Sequence, residues 1–357
     1  MDSKRPPLRL AFIGSAGIPN RYGGFESFLE HCAPELSRNG HEVRVTCDGR
    51  LYPGEPAEYV GTSRVFIGVP ANGAFSPLHD LIAFSRIFRQ SDVIFVLGVS
   101  AGPFLPWMRM LAGLAGKRLV VNLDGIEWRR NKHSRVVRLL LRAFDLLGQM
   151  SAHRLIYDNQ ALLPYVMGRF RHKAVLIAYP GDYGIRFPGE RDPMARSALT
   201  ICRIEPENQL EMLIEAALAS SIKRYTIIGN WRSSVYGRHL MEIYSSEPRL
   251  DLLDPIYDPE ALGRARESCT VYLHGHRVGG TNPSLVEILP YECAVICFDC
   301  AFNRATAGAR AFYFQGTDDL PSLIDETLNR SASPWPEPPS VYTVAGIAKA
   351  YSALASP

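Results

Sequence analysis

The segment His274-Gly275-His276-Arg277-Val278-Gly279-Gly280-Thr281-Asn282-Pro283-Ser284-Leu285-Val286-Glu287 concentrates the chemistry of this 357-residue chain. It follows an apolar run at 271–273 and opens a helical pattern at Pro283, where proline is favoured in a first turn. Gly279, Gly280, Thr281 and Asn282 can aim successive amides at a diphosphate, helped by the positive end of the helix. His276 and Ser284 join them as candidate donor-binding side chains. Glu287 lies one turn inside the helix, where its carboxylate suits ribose hydroxyls. The same position also suits an early-helix acid favoured by the helix dipole. His274 and His276 fit a structural pair at a strand end equally well. No third ligand at metal spacing accompanies them, so no metal site is expected.

A second glycine-rich loop, Gly14 to Gly24, follows the first apolar run. A dinucleotide fingerprint needs G-x-G-x-x-G, but Ala16 takes the second glycine position and Ile18-Pro19 intervene. What remains is Gly23-Gly24 opening a helix. That pair can approach a phosphate or a sugar hydroxyl, or serve a tight turn. Carboxylates just past apolar strand ends face the ligand side of an open α/β sheet. Asp124, Glu127 and Asp158 sit in such places, and Tyr179 follows another run. Each could orient a hydroxyl or act as a general base. An N-cap or Asx-turn would use Asp158-Asn159 in the same way. Cys297 and Cys300 form a lone C-x-x-C, which without a matching second pair reads as core filling.

Alternating apolar runs and helical patterns must position these residues. Runs at 8–13, 43–47, 65–69, 93–99, 119–123, 155–157 and 175–178 lack polar alternation, as strands buried on both faces should. The second half repeats this at 199–201, 225–228, 250–253, 271–273, 295–298 and 312–314. Helices are expected to start near Glu207, Pro259, Pro283 and Leu320. An early helix carries Phe25, Phe28, Leu29, Cys32, Ala33 and Leu36 at helical spacing, and Pro34 predicts a bend or late break in it. The expected fold is α/β, two doubly wound Rossmann-like domains facing a central cleft. Their bounds are 1–180 for the acceptor side and 181–332 for the donor side. A Pro-rich segment and last helix at 333–357 are expected to pack back on the first domain.

The donor-side motif resembles that of glycosyltransferase family 4, retaining sugar-nucleotide enzymes of the GT-B fold. The stretch Cys202-Arg203-Ile204-Glu205-Pro206-Glu207-Asn208 resembles the family loop whose Arg, usually with a Lys, grips the donor diphosphate. Ile13-Gly14 through Glu26, with Val121 to Trp128, is similar to bacterial rhamnosyltransferases that build cell-surface polysaccharides. Two positions depart from the general pattern. Gly279 stands where the first of two family glutamates would be, and Asn208 replaces the lysine. The resemblance implies a retaining, metal-independent hexosyltransferase without a cofactor. Its donor would be a nucleotide sugar, dTDP-rhamnose before a UDP-sugar, and its acceptor lipid-linked or a saccharide. Front-face attack is implied, with the leaving phosphate taking the acceptor proton. A sugar-nucleotide epimerase and a non-catalytic nucleotide-sugar binder are the alternatives.

Net charge is +3, but residues 1–180 carry +9 and 181–357 carry −6. The basic excess is densest at Arg129, Arg130, Lys132, Arg135, Arg138 and Arg142, interleaved with Val136, Val137, Leu139, Leu140 and Leu141. Such a helix, expected over 129–147, suits an anionic lipid surface; a solvated helix reads the same way. No zinc-finger, RNP or basic-zipper pattern supports nucleic acid. No uncharged stretch reaches the roughly 20 residues of a bilayer span, and no secretory leader opens the chain. Seven cysteines in apolar runs suit a reducing compartment. The expectation is a cytoplasmic protein, peripheral on the inner face of the plasma membrane.

Overall fold

The computed structural model describes residues 7–130, 134–189, 192, 195–328 and 338–356. The chain divides into two compact units, one of residues 1–179 with 343–357, the other of 180–342. Strands of the first unit are β1 (Arg9–Ile13), β2 (Glu42–Asp48), β3 (Glu58–Tyr59), β4 (Thr62–Ile67), β5 (Val93–Leu97), β6 (Arg118–Asn122), β7 (Arg154–Tyr157) and β8 (Ala174–Leu176). Its helices are α1 (Gly24–Arg38), α2 (Ser76–Ile87), α3 (Leu105–Leu114) and α4 (Arg135–Ser151). The second unit holds β9 (Ser197–Ile201), α5 (Leu210–Ala219), β10 (Arg224–Ile228), α6 (Val235–Tyr244), β11 (Leu250–Leu253), α7 (Pro259–Ser268) and β12 (Val271–His274). It continues with α8 (Pro283–Ile288), β13 (Ala294–Phe298), α9 (Ala301–Ala307), β14 (Ala311–Phe314) and α10 (Leu320–Leu328). Helix α11 (Val344–Ala355) returns to the first unit.

The first sheet runs β3-β4-β2-β1-β5-β6-β7-β8, and the second β11-β10-β9-β12-β13-β14. All pairings are parallel except β3 with β4. Central strands such as β5 and β12 are buried along their whole length, which is why they read as unbroken apolar runs. Each sheet reverses winding direction once, between β1 and β5 and between β9 and β12. Loops after those strands part to opposite faces, the place where open α/β sheets bind ligands. The expected fold class therefore holds: α/β with two parallel-sheet units.

Two details differ from the periodicity. Helix α1 runs through buried Pro34 to Arg38 and stops at Asn39-Gly40, because its last turn is held in the core by Cys32, Ala33 and Leu36. In α11, Ile347, Ala348 and Tyr351 join the same core, with Tyr351 stacked on Phe28 at 5.0 Å. Strand β4 starts three residues early, at Thr62, and includes Arg64. That guanidinium is buried, where it pairs with Glu55 at 2.7 Å and donates to the Ile18 carbonyl at 3.0 Å. Most of the Pro-rich segment 333–339 lies outside the described residues.

Candidate functional site

The loops after β9 and β12 flank the switch point of the second sheet, and the sequence locks them together. Asn208 is buried between them: Oδ1 lies 2.8 Å from Nδ1 of His276, and Nδ2 donates to the Arg203 carbonyl at 2.6 Å. Gln209 donates to the Gly275 carbonyl at 2.7 Å, and the Arg277 amide to that of Glu207 at 3.1 Å. The clamp leaves the Arg203 side chain exposed, with no ion pair among the described residues. Beside it, burial pushes the Cys202 thiol up to about 12, so it stays protonated.

Both departures from the family pattern have one local cause. The His276 ring, held by Asn208, fills the space beside Gly279. A Cβ there would lie 2.7 Å from Nε2 of His276, and φ is +158°. A glutamate at 279 and a lysine at 208 would each displace this pair. Farther along, Asn282 caps α8, its Oδ1 accepting from the Ser284 amide at 3.1 Å and from the Ser284 hydroxyl at 2.9 Å. Thr281 is buried and Gly280 partly so.

Glu287 is neither a solvated acid nor a simple dipole partner. It is buried; Oε2 pairs with the buried Arg266 guanidinium, and Oε1 accepts from the Tyr183 hydroxyl. The spacing of the motif carried no sign of Arg266 or Tyr183, which arrive from α7 and from the turn after residue 180. His274 is buried against Tyr272, and burial lowers its pKa to about 3, so it is neutral at physiological pH. Strand β13 ends at Phe298, and Cys300 caps α9 rather than continuing the strand. Both thiols of the C-x-x-C are raised by burial. Among the described residues no cluster of three or more His, Cys, Asp or Glu side chains could hold a metal ion.

In the first unit the glycine loop is filled from within. Glu26, buried in the first turn of α1, accepts from the Ala16 amide at 2.6 Å. Burial raises its pKa, while backbone bonds at Ala16, Glu26 and Gly23 pull it down. The chain's own carboxyl group thus occupies the inside of the loop that Gly23 and Gly24 close. Gly14, at φ +91°, is required because a Cβ would strike the Leu97 carbonyl.

Asp124 follows β6 in a left-handed conformation, φ +58°, its amide donating to Asn122 Oδ1 at 3.0 Å. Asp158 follows β7 and is buried, while Asn159 takes the cap, accepting from the Ala161 amide at 2.9 Å. The cap role considered for Asp158-Asn159 therefore falls to Asn159. Glu127 pairs with Arg130 at 2.7 Å. Tyr179 is buried among Phe25 and Phe28, and burial with Asp158 and Asp124 nearby raises its pKa well above the usual range. A phenol held protonated in this way can orient a hydroxyl rather than take its proton. A small pocket beside Asp124 is lined by Ile126, Tyr157, Leu162, Val166 and, from α4, Asp145 and Gln149. Burial pushes the Asp145 carboxyl up to about 6; Gln149 donates to it at 2.9 Å.

The basic helix is shorter and later than expected. It spans Arg135–Ser151, capped by Ser134. Arg130 is buried before it, Arg138 donates to the Trp128 carbonyl at 2.9 Å, and Lys132 lies outside the described residues. No helix among the described residues is long and apolar enough to cross a membrane.

Residues 9–182 match a family model described as a domain of unknown function, DUF1972. No curated protein matches the chain. Among solved structures, sucrose-phosphate synthase from Thermosynechococcus elongatus is similar at 14% identity and a TM-score of 0.73, over 98% of this chain and 96% of that one. The catalytic domain of starch synthase IV from Arabidopsis thaliana, bound to ADP and acarbose, is similar at 11% and 0.68, over 98% and 99%. A candidate UDP-N-acetylglucosamine 2-epimerase from Listeria monocytogenes is similar at 11% and 0.55, over 98% and 95%. At these identities the likeness establishes the fold, that of the GT-B glycosyltransferases.

Proposed function

We propose that the protein is a retaining family 4 glycosyltransferase that moves a hexose, rhamnose before others, from a nucleotide diphosphate to an acceptor. The observation that carries this reading is the clamped pair of loops at the second switch point. Arg203 stands exposed there, beside the loop 279–282 that opens α8. Arg203 would hold the diphosphate as a fork of donors, and the loop amides would stabilise charge on the leaving group. His276, seated on Asn208, would stand where the usual lysine is missing, with Gly280, Thr281 and Ser284 along the diphosphate. Glu287, with both oxygens already engaged, would reach a ribose hydroxyl through a remaining lone pair.

In the first unit Asp124 and Asp158 would orient the acceptor hydroxyl, and Glu127 would act through Arg130. The acceptor proton would pass to the leaving phosphate, so no metal or cofactor is required. A dTDP-sugar is the favoured donor, a UDP-sugar the second. The acceptor would be lipid-linked or a saccharide of a surface polysaccharide, met at the cytoplasmic face of the membrane.

Calorimetry with dTDP, UDP and ADP tests the site. Arg203→Ala should weaken binding about 10- to 100-fold, the worth of a charge-assisted contact, with no change in stability. Unchanged affinity removes the site. Turnover of the nucleotide sugar then separates the alternatives: transfer needs an acceptor, epimerisation does not, and a binding protein does neither.

A further inference from the structure

Helix α4 turns a mixed side inward: Gly148, Gln149 and Ser151 are buried, Leu141, Phe144 and Leu147 are half-buried, and its one carboxylate, Asp145, lines the pocket beside Asp124. The apolar residues Val136, Leu139, Leu140 and Met150 recur at helical spacing and face solvent, with Leu139 70% exposed. A helix of a water-soluble unit places such a stripe against the core. The packed neighbour α3 repeats the feature: Trp107, Met110 and Leu114 share one face and are exposed, Leu114 by 80%. Arg135 and Arg142 flank the α4 stripe and are exposed without an ion pair among the described residues, Arg142 lying over the Trp128 ring at 5.3 Å and near enough to Asp145 to feel its charge.

We infer that this α4–α3 face docks on an anionic lipid bilayer. The inference rests on the membrane part of the reading above and locates that contact. Unpartnered apolar side chains enter the acyl boundary, and the flanking arginines meet lipid phosphates. The opposite side of the same helix, which carries Asp145 and Gln149, then stays with the Asp124 pocket. Because Arg130 and Arg138 are engaged internally, apolar insertion rather than charge dominates, so added salt weakens binding only partly.

The test is co-sedimentation of the nucleotide-free protein with phosphatidylcholine vesicles, with and without phosphatidylglycerol. Wild type should bind the anionic vesicles. The double variant Leu139→Ser, Leu140→Ser should lose about tenfold or more in partitioning, as expected when two buried apolar groups are removed. Its thermal midpoint and nucleotide affinity should match wild type, since both side chains face solvent. Brominated lipid should quench wild-type fluorescence more than that of Trp107→Phe, a readout independent of the serine variant's folding. Wild type that ignores anionic vesicles, a double variant that binds them equally, or quenching unchanged in Trp107→Phe overturns the proposal. So does a dimer in sedimentation that the serine pair abolishes, because the face would then belong to a second copy. Lost vesicle binding with intact dTDP affinity leaves the donor reading standing.

Discussion

Two glycine-rich loops leave the two sheets at their switch points, one after β1 and the other after β12 on the opposite side of the switch, each opening a helix that carries a glutamate. They are used in opposite ways. In the first unit Glu26 turns back and takes the amide of Ala16, so the loop is filled by the chain's own carboxyl group. In the second, Glu287 turns aside to Arg266 and Tyr183, and the loop before α8 is shaped by His276 instead. A glycine loop at a helix start suits an anion. Whether the anion is a ligand or a side chain depends on where the first acid points.

The largest expected effect comes from breaking the second arrangement. Glu287→Gln leaves Arg266 charged and buried without its partner, and should cost about 3–5 kcal/mol in urea unfolding. A cost below about 1 kcal/mol would mean that water reaches Arg266 and the pair does not hold α8. Gly279→Ala should cost about 1–3 kcal/mol by pushing the His276 ring off Asn208. Nucleotide affinity should fall with it, and retained affinity would detach His276 from the site.

The first arrangement is sharpened by emptying it. Glu26→Ala should cost about 1–2 kcal/mol and unmask the helix end. Inorganic phosphate should then raise its thermal midpoint more than that of wild type. Equal response in both proteins would show that the loop does not bind anions at all. Gly23→Ala should cost only a few tenths of a kcal/mol, because Gly23 is an extended cap without a side-chain role.

Asp145 offers a pH test of the inward face of α4. Its folded pKa, about 6, lies above that of an unfolded aspartate. The folded state therefore binds the extra proton, and stability falls as pH rises from about 4 to about 6. Asp145→Asn should flatten that window and stabilise the protein by roughly 1 kcal/mol at pH 7. A profile unchanged by the substitution would place the carboxylate in water.

Much of the scaffold was legible in the order of residues. Runs such as 93–99 and 271–273 are apolar without alternation because both faces of a central parallel strand are covered, and that composition is local information. The short antiparallel β3 and helices α6 and α9 were not read. Their residues are half polar, and their stability comes from the neighbours they pack on. The loop 279–282 could be named from spacing, since bare amides ahead of a helix stand next to one another in the chain; Arg203, far from it in the chain, was named only through the family resemblance.

Tertiary structure alone decided the rest. The partners of Glu287 lie 21 and 104 residues away. Asn208 and His276 meet across 68, and no periodicity links such positions. The residues of α4 state that one face is apolar and the other polar, but amphipathicity has no sign: only packing tells which face turns inward. Here the side with Asp145, Gly148 and Gln149 turns inward together with half-buried Leu141, Phe144 and Leu147, and the stripe of Val136, Leu139 and Leu140 is left facing solvent.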